Sequence, residues 1–298
     1  MMAGEARMGG VTPQQIGIAC NPFDPRAAEL GAELIEWLRT RGVTPLIDAS
    51  SCPHGDRGRA MEMGEIARHA QLMIVIGGDG TLLHAARFFL GSDTPLLAVN
   101  LGRLGFLTDT PAGNMRDVVA QAMEGALERR RHFSLQARCL HRGSPVVEAC
   151  AINDVVIQRS ANPRMVTFSM TIRDQFVFRM RADGLILATP LGSTAYALSA
   201  GGPIVHPEIE AISVVPICPH TLSNRPIVVP ADARIEVTVD DAPAALSLDG
   251  TQQRELDDGD TILLRRGPGF ILLHQPQRHY FEVLRNKLHW AGQAEPNA

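Results

Sequence analysis

The run Leu72-Met73-Ile74-Val75-Ile76-Gly77-Gly78-Asp79-Gly80-Thr81-Leu82-Leu83 constrains this chain more than any other stretch. Its apolar start predicts a buried strand, and the periodic residues after Thr81 predict a helix. Between them stand three glycines and one carboxylate. Glycine has no Cβ, so the turn is open to unusual dihedrals and its N–H groups can approach a ligand closely. The following helix would offer unpaired N–H groups and a positive dipole end to a phosphate. Gly77, Gly78, Gly80 and Thr81 are therefore the expected phosphate-facing residues. Asp79 would hold a carboxylate at the carboxyl end of a strand, where open α/β sheets place their ligands. A plainer reading makes the turn a tight connection with Asp79 as a helix cap. No Gly-Lys-Ser/Thr follows and the G-x-G-x-x-G spacing is absent, so neither a Walker A loop nor a Rossmann fingerprint is available. Alone, the turn supports a nucleotide or phosphate site.

At 298 residues the chain is long enough for two domains or one large one. A net charge of −4 and the lack of a basic stripe argue against nucleic acid as a partner. Apolar stretches such as Val214–Ile217 are far too short to span a bilayer. The segment Met1–Val11 lacks an apolar signal core and reads as a flexible leader. Five scattered cysteines without a C-x-x-C pair imply neither zinc nor a disulfide framework. A cytoplasmic enzyme in a reducing compartment is expected.

The first part alternates strand and helix patterns: strand Ile16–Cys20, helix Ala27–Arg41 stopped by Gly42, strand Thr44–Ile47 and helix Met63–Gln71. After the glycine turn come a helix to about Leu90, a strand Leu96–Asn100 and a second glycine-rich turn, Asn100-Leu101-Gly102-Arg103-Leu104-Gly105-Phe106. A helix over Met115–Arg130 closes the region. Such alternation predicts an α/β domain with a parallel sheet covered on both faces, over residues 1–130. From residue 131 to about 275, β-branched runs take over, among them Val146–Gln158, Met165–Ile172 and Ile212–Ile217. Asp183-Gly184, Asp249-Gly250 and Asp258-Gly259 mark turns, and a mainly β second domain is expected. Residues 276–298 form a C-terminal segment, helical over Tyr280–Trp290 and loose from Gly292.

A second dense region runs from Asp183 through Pro190-Leu191-Gly192-Ser193-Thr194-Ala195-Tyr196 to Ser199-Ala200-Gly201-Gly202-Pro203. It reads as a turn, a short strand, a break, and a small-residue helix beginning at Ser193 or Thr194, with Ser193 as N-cap. Small residues permit close approach by a ligand, while Thr194, Tyr196 and Ser199 supply hydroxyls. The same small residues would equally serve tight packing on a sheet.

Taken in order, Gly77-Gly78-Asp79-Gly80, Asn153-Asp154, Asp183-Gly184, the Gly192–Tyr196 stretch with Ser199–Ile204, Pro219–Pro226 and Leu284–Trp290 resemble the motif set of the NAD kinases. The resemblance covers nearly the whole chain from Ile16. It implies a phosphofructokinase-like or NAD-kinase-like α/β domain, a β-rich NAD-binding domain, and a C-terminal segment returning to the first. It further implies transfer of the γ-phosphoryl group of ATP to the 2′-hydroxyl of the adenosine ribose of NAD. A divalent metal, usually Mg²⁺, would travel with ATP rather than in a dedicated protein cage. A homodimer or homotetramer is implied, with the NAD site between the domains and near a subunit interface.

The resemblance also assigns roles. Asp79 matches the catalytic aspartate, with Gly80 beside it in the substrate site. Asn153 and Asp154 match a pair that holds adenosine; the family more often has Glu at the second position. Phe106 matches an aromatic placed against the ligand, although a core Phe would look the same. Thr194, Ala195, Tyr196 and Ser199 match adenine and ribose contacts, and Thr251 joins the substrate-binding set. Leu191 departs from the family's Thr or Ser. Asp183 matches a contact to the nicotinamide end, while Arg164 and Arg181 align with variable binding positions. His206 and His220, beside prolines, read as structural. Two other readings stand beside this one: a lipid kinase sharing the Gly-Gly-Asp-Gly turn, and an NAD(P)-binding regulator without turnover.

Overall fold

The computed structural model describes residues 13–51, 60–102, 105–108, 110–160, 164–221, 223–241, 243–276 and 280–290. The expected leader, Cys52, Arg103, Leu104, Leu222 and the tail from Gly292 lie outside them. Residues 1–131 with 270–298 form one compact unit and residues 132–269 another.

Chain order in the first unit is β1 (Gln15–Cys20), α1 (Pro25–Arg39), β2 (Thr44–Asp48), β3 (Ala60–Met61), α2 (Met63–His69), β4 (Leu72–Ile76), α3 (Asp79–Ala86), β5 (Pro95–Asn100), β6 (Thr110–Pro111) and α4 (Met115–Met123). The second unit holds most of β7 (Glu128–His141), then β8 (Ser144–Ala151), β9 (Asp154–Arg159), β10 (Val166–Ile172), β11 (Gln175–Ala182), β12 (Gly184–Ala188) and α5 (Tyr196–Ser199). It continues through β13 (Ala211–Ile217), β14 (Ile227–Pro230), β15 (Ile235–Asp241), β16 (Ala244–Leu248) and β17 (Thr251–Leu256) into β18 (Thr261–His274). From Phe270 onward β18 belongs to the first unit, which ends with α6 (Tyr280–Leu288).

In the first unit the sheet order is β18-β5-β4-β1-β2-β3, and every pair is parallel. All residues of β4 and β5 are buried, as expected of strands covered on both faces. The chain lays β2 and β3 on one side of β1 and returns with β4 on the other. That reversal creates a topological switch point beside β4, where open parallel sheets bind their ligands at the carboxyl ends. Asp24 caps α1 by accepting the Arg26 N–H, with Pro25 in the first turn, and Leu34, Ile35 and Leu38 are buried in the core.

Two corrections concern helix ends. The helix after the glycine turn begins at Asp79 rather than after Thr81, and past Ala86 it tightens into a 3₁₀ turn, Arg87–Phe89. The helix expected over 115–130 stops at Met123, because Gly125 takes φ +70° and reverses the chain into β7.

The second unit is antiparallel. One sheet runs β14-β13-β12-β9-β16-β17, and β11, β10, β15 and the start of β18 pair in that order in another. A single apolar core draws on both, with Val155, Ile157 and Leu187 from one and Phe168, Val237 and Ile262 from the other. The run 146–158 is not one strand: β8 ends at Ala151 and β9 starts at Asp154. Among the described residues no helix is long and apolar enough to cross a membrane. Cys20, Cys139, Cys150 and Cys218 are thiols, and burial pushes that of Cys139 up to about 11.

Candidate active site

Strand β4 delivers its last residue into Gly77-Gly78-Asp79-Gly80. None of the three glycines takes a left-handed φ, so the unusual dihedrals expected of the turn are not what it uses. Their value is spatial. A Cβ on the buried Gly77 would stand 2.5 Å from Thr81 Oγ1, whereas Gly78 and Gly80 border open space and are exposed. Gly78 occupies the N-cap of α3 and gives the first-turn N–H groups no side-chain partner.

Asp79 does not cap its helix. Its carboxylate is committed to the loop after the second glycine-rich turn: Oδ2 accepts the Phe106 N–H at 2.9 Å, and Oδ1 accepts those of Leu107 at 3.2 Å and Thr108 at 3.0 Å. The Thr108 hydroxyl donates to Oδ1 as well, at 3.0 Å. Gly105 is where a glycine is obligatory, since a Cβ there would lie 2.1 Å from Asp79 Oδ1 and 2.2 Å from Thr108 Oγ1. Phe106 is half-buried and outside the core, and its ring lies 5.8 Å from the ammonium of Lys287 on α6. Lys287 is the chain's one lysine among 28 basic Lys and Arg residues. Sequence reasoning gave no role to Asn100, Gly105, Thr108 or Lys287, although the first two stand in the turn it singled out.

In the second unit, Asn153 and Asp154 sit at the break between β8 and β9, and one carboxylate makes that break. Asp249 accepts the N–H groups of Ile152 at 2.9 Å, Asn153 at 2.7 Å and Asp154 at 3.2 Å. From the other side, Thr189 donates its N–H to Asn153 O and its hydroxyl to Ile152 O. Gly192 lies so close that a Cβ would stand 2.0 Å from Asn153 O. Asn153 and the Gly192–Tyr196 stretch, 39 or more residues apart in sequence, are thereby brought together. Asp249 was read from sequence only as half of an Asp-Gly turn; its anchoring role carries no local signal.

The small-residue helix is shorter than expected. A 3₁₀ turn, Gly192–Thr194, precedes the single turn of α5, and Ser193 is fully buried rather than capping. Its hydroxyl donates to Pro190 O at 2.6 Å and accepts the Val205 N–H at 3.0 Å. Thr194 donates to Leu191 O within its own turn. Ala195 is the half-buried junction; Tyr196, 42% exposed, and Ser199 present their side chains outward. Ala197 packs on Ile186 and Val215 beneath. The Asp183 carboxylate stands 3.4 Å from Arg159 Nε. Arg164, two residues before β10, Arg181 on β11 and Thr251 at the start of β17 are exposed. His206 accepts the Glu208 N–H through Nδ1, and the backbone N–H of His220 donates to Arg181 O.

Asp154 is 4% exposed, and burial, with the nearby Asp249 charge adding, pushes its carboxyl up to about 7. Near neutral pH it holds a proton part of the time and then has a donor to offer. The folded chain keeps this proton between pH about 4 and about 7 while an unfolded aspartate has released it, so stability falls as pH rises through that window. Asp154→Asn removes the titration. Its melting temperature relative to the parent protein should become more favourable from about pH 4 to about pH 8, as measured by calorimetry. A pH-independent difference would show that Asp154 does not carry a retained proton.

Among the described residues one group of metal-competent atoms lies within 4.8 Å: His141, Asp257 and Asp260. All three belong to the second unit, and Asp260 is already engaged by His141 Nδ1 at 2.7 Å and the Asp257 N–H at 3.0 Å. It is no part of the Asp79 cluster.

The ATP-NAD kinase N-terminal domain profile matches residues 16–127, and the ATP-NAD kinase C-terminal domain profile matches residues 152–273. The chain is 41% identical to an NAD kinase of Geobacter sp. (strain M21), over 93% of this chain and 99% of that one. An NAD kinase of Magnetococcus marinus is also 41% identical, over 93% of each. Among solved structures, yeast NADH kinase complexed with NADH aligns with a TM-score of 0.84 and 27% identity, covering 96% of this chain and 90% of that one. The NAD kinase from Archaeoglobus fulgidus in complex with ATP gives 0.73 and 25%, covering 91% and 99%. With both domain profiles matched in order and relatives aligned along almost their full length, the chain belongs to the NAD kinase family.

Proposed function

We propose that this protein transfers the γ-phosphoryl group of ATP to the 2′-hydroxyl of the adenosine ribose of NAD, giving NADP and ADP. The observation that carries this reading is Asp79: a carboxylate at the end of β4, beside the switch point, held by four donors that leave one oxygen lightly used. Phosphoryl transfer asks a protein mainly for positioning and charge neutralisation. Asp79 accepts the hydrogen bond of the ribose hydroxyl and takes its proton as the new O–P bond forms and the bond to ADP breaks. The exposed backbone at Gly78 and Gly80 and the uncapped N-terminus of α3 suit the phosphates, with Thr81 behind them.

The second unit supplies the adenosine contacts in this proposal. Asn153 and Asp154 hold the base or ribose, the Tyr196 ring and the Thr194–Ser199 turn line the site, and Asp183 addresses the nicotinamide end. Phe106 lies against the ligand, while Arg164, Arg181 and Thr251 approach NAD from the rim. The two solved relatives carry NADH and ATP, the two substrate classes required. A divalent ion, Mg²⁺, enters with ATP as part of the substrate. Asp79 has four donors on it, a poor start for a resident cation site. A cytoplasmic homodimer or homotetramer with the site near the subunit interface completes the proposal.

The test is direct. Purified protein, ATP, Mg²⁺ and NAD are incubated, and NADP is measured with an NADP-specific dehydrogenase. Protein-dependent NADP formation is the expected result, and none above background from folded protein overturns the reading.

A further inference from the structure

Asp79 is held by a relay of hydrogen bonds whose direction is fixed at every step. Asn100, at the end of β5, is 6% exposed, and Thr108 is fully buried. The Asn100 side-chain oxygen accepts the Gly102 N–H at 2.9 Å, which settles the amide orientation and turns Nδ2 away from that oxygen. Nδ2 donates to Thr108 Oγ1 at 2.9 Å and to Thr108 O at 3.3 Å. An amide nitrogen can only donate, so Thr108 Oγ1 receives that bond on a lone pair and its single proton must go elsewhere. The partner within reach is Asp79 Oδ1 at 3.0 Å, and a carboxylate can only accept.

The two oxygens of Asp79 are consequently unequal. Oδ1 receives three donors, from Leu107 N, Thr108 N and Thr108 Oγ1. A carboxylate oxygen offers about two lone-pair sites, so Oδ1 is full. Among the described residues Oδ2 receives only the Phe106 N–H, which leaves a site open. We infer that Thr108, oriented by Asn100, is a positioning residue that dedicates Asp79 Oδ1 to holding the loop and leaves Oδ2 as the atom that accepts the substrate hydroxyl. This rests on the reading of Asp79 as the group that addresses that hydroxyl. The relay works through direction rather than charge: it prevents the carboxylate from rotating to share its open site between both oxygens. A near-attack geometry lost by rotation costs rate without costing substrate affinity.

The experiment compares Thr108→Val, Thr108→Ala and Thr108→Ser with the parent protein and with Asp79→Asn, using full-length folded protein and steady-state kinetics in both substrates. Valine keeps the shape and the backbone N–H but removes the hydroxyl. Thr108→Val and Thr108→Ala should lower kcat by about 10-fold or more, with KM for NAD and for ATP changed by less than about threefold. Thr108→Ser, which retains the hydroxyl, should recover most of the loss. If the valine variant does not fold, alanine against serine makes the same comparison. A kcat within about twofold of the parent in the hydroxyl-free variants overturns the inference, as does a loss that serine fails to restore. Asp79→Asn separates the two levels. If it is inactive while Thr108→Val is active, only the positioning role falls; if it turns over normally, the reading of Asp79 itself falls.

Discussion

Asp79→Asn is expected to lower kcat by at least about 10²-fold, the usual scale for a positioned proton acceptor. The amide is nearly isosteric but cannot take the ribose proton. The surroundings make matters worse, because among the described residues every hydrogen-bond partner of this side chain is a donor. Leu107, Thr108 and the Thr108 hydroxyl converge on one oxygen and the Phe106 N–H on the other. Whichever way the asparagine turns, its NH₂ meets at least one N–H head-on. Turning the carbonyl toward Leu107 and Thr108 is the less costly choice, and it puts the amide nitrogen where the substrate hydroxyl must arrive. A modest loss of stability, about 1–3 kcal/mol, should accompany the kinetic defect. Measuring kcat below the melting transition separates the two effects. Near-normal turnover in folded Asp79→Asn would remove Asp79 from the proton-accepting role.

The second large effect belongs to Asp249, a residue with no role in the chemistry. Its carboxylate collects three consecutive backbone N–H groups, those of Ile152, Asn153 and Asp154, and its own N–H returns to Asp154 O at 3.0 Å. It also sits at φ +46° ahead of Gly250 at +75°, a hairpin turn between β16 and β17 that tolerates Asp, Asn or Gly. Asp249→Ala orphans three donors and strains the backbone. At about 1–3 kcal/mol for each orphaned donor, reduced where water can reach it, the expected loss is about 3–6 kcal/mol, a large share of a typical domain's stability. Urea denaturation would show it as a lower midpoint. KM for NAD should also rise, because Asn153 and Asp154 lose their frame. Asp249→Gly relieves only the backbone strain and should fall between. A loss below about 1 kcal/mol for the alanine variant would show that the three N–H groups have other partners.

These two residues also mark how far the sequence could be read. Local signals were sufficient for β4, whose unbroken apolar run is buried on both faces, and for α1, whose Asp24-Pro25 start is written in adjacent residues. The strand–turn–helix junction at Gly77–Gly80 was legible for the same reason. What failed was whatever depends on a partner far along the chain. Asp79 and Thr108 are 29 residues apart and Asp249 and Asn153 are 96 apart, so neither pairing leaves a periodic or capping signature. The same cause explains the split of the run 146–158: β-branched residues stand on both sides of the break, but a carboxylate from another hairpin takes the N–H groups a continuous strand would use. Ser193 misled in the opposite direction. A serine ahead of a helix is a good local cap, yet burial turned its hydroxyl to Pro190 and Val205.

The chain has settled on arginine for nearly all of its basic positions, and the exception stands over the ring of Phe106. Amine-selective reagents therefore meet one side chain in this protein, Lys287, which lies against the residue whose peptide N–H holds Asp79. At a pH high enough to deprotonate the lysine, and with the α-amino group blocked, a fluorophore or crosslinker attached there would be site-specific without any engineered residue. Its reactivity, followed as nucleotides are added, would report on the 105–108 loop from a single covalent handle.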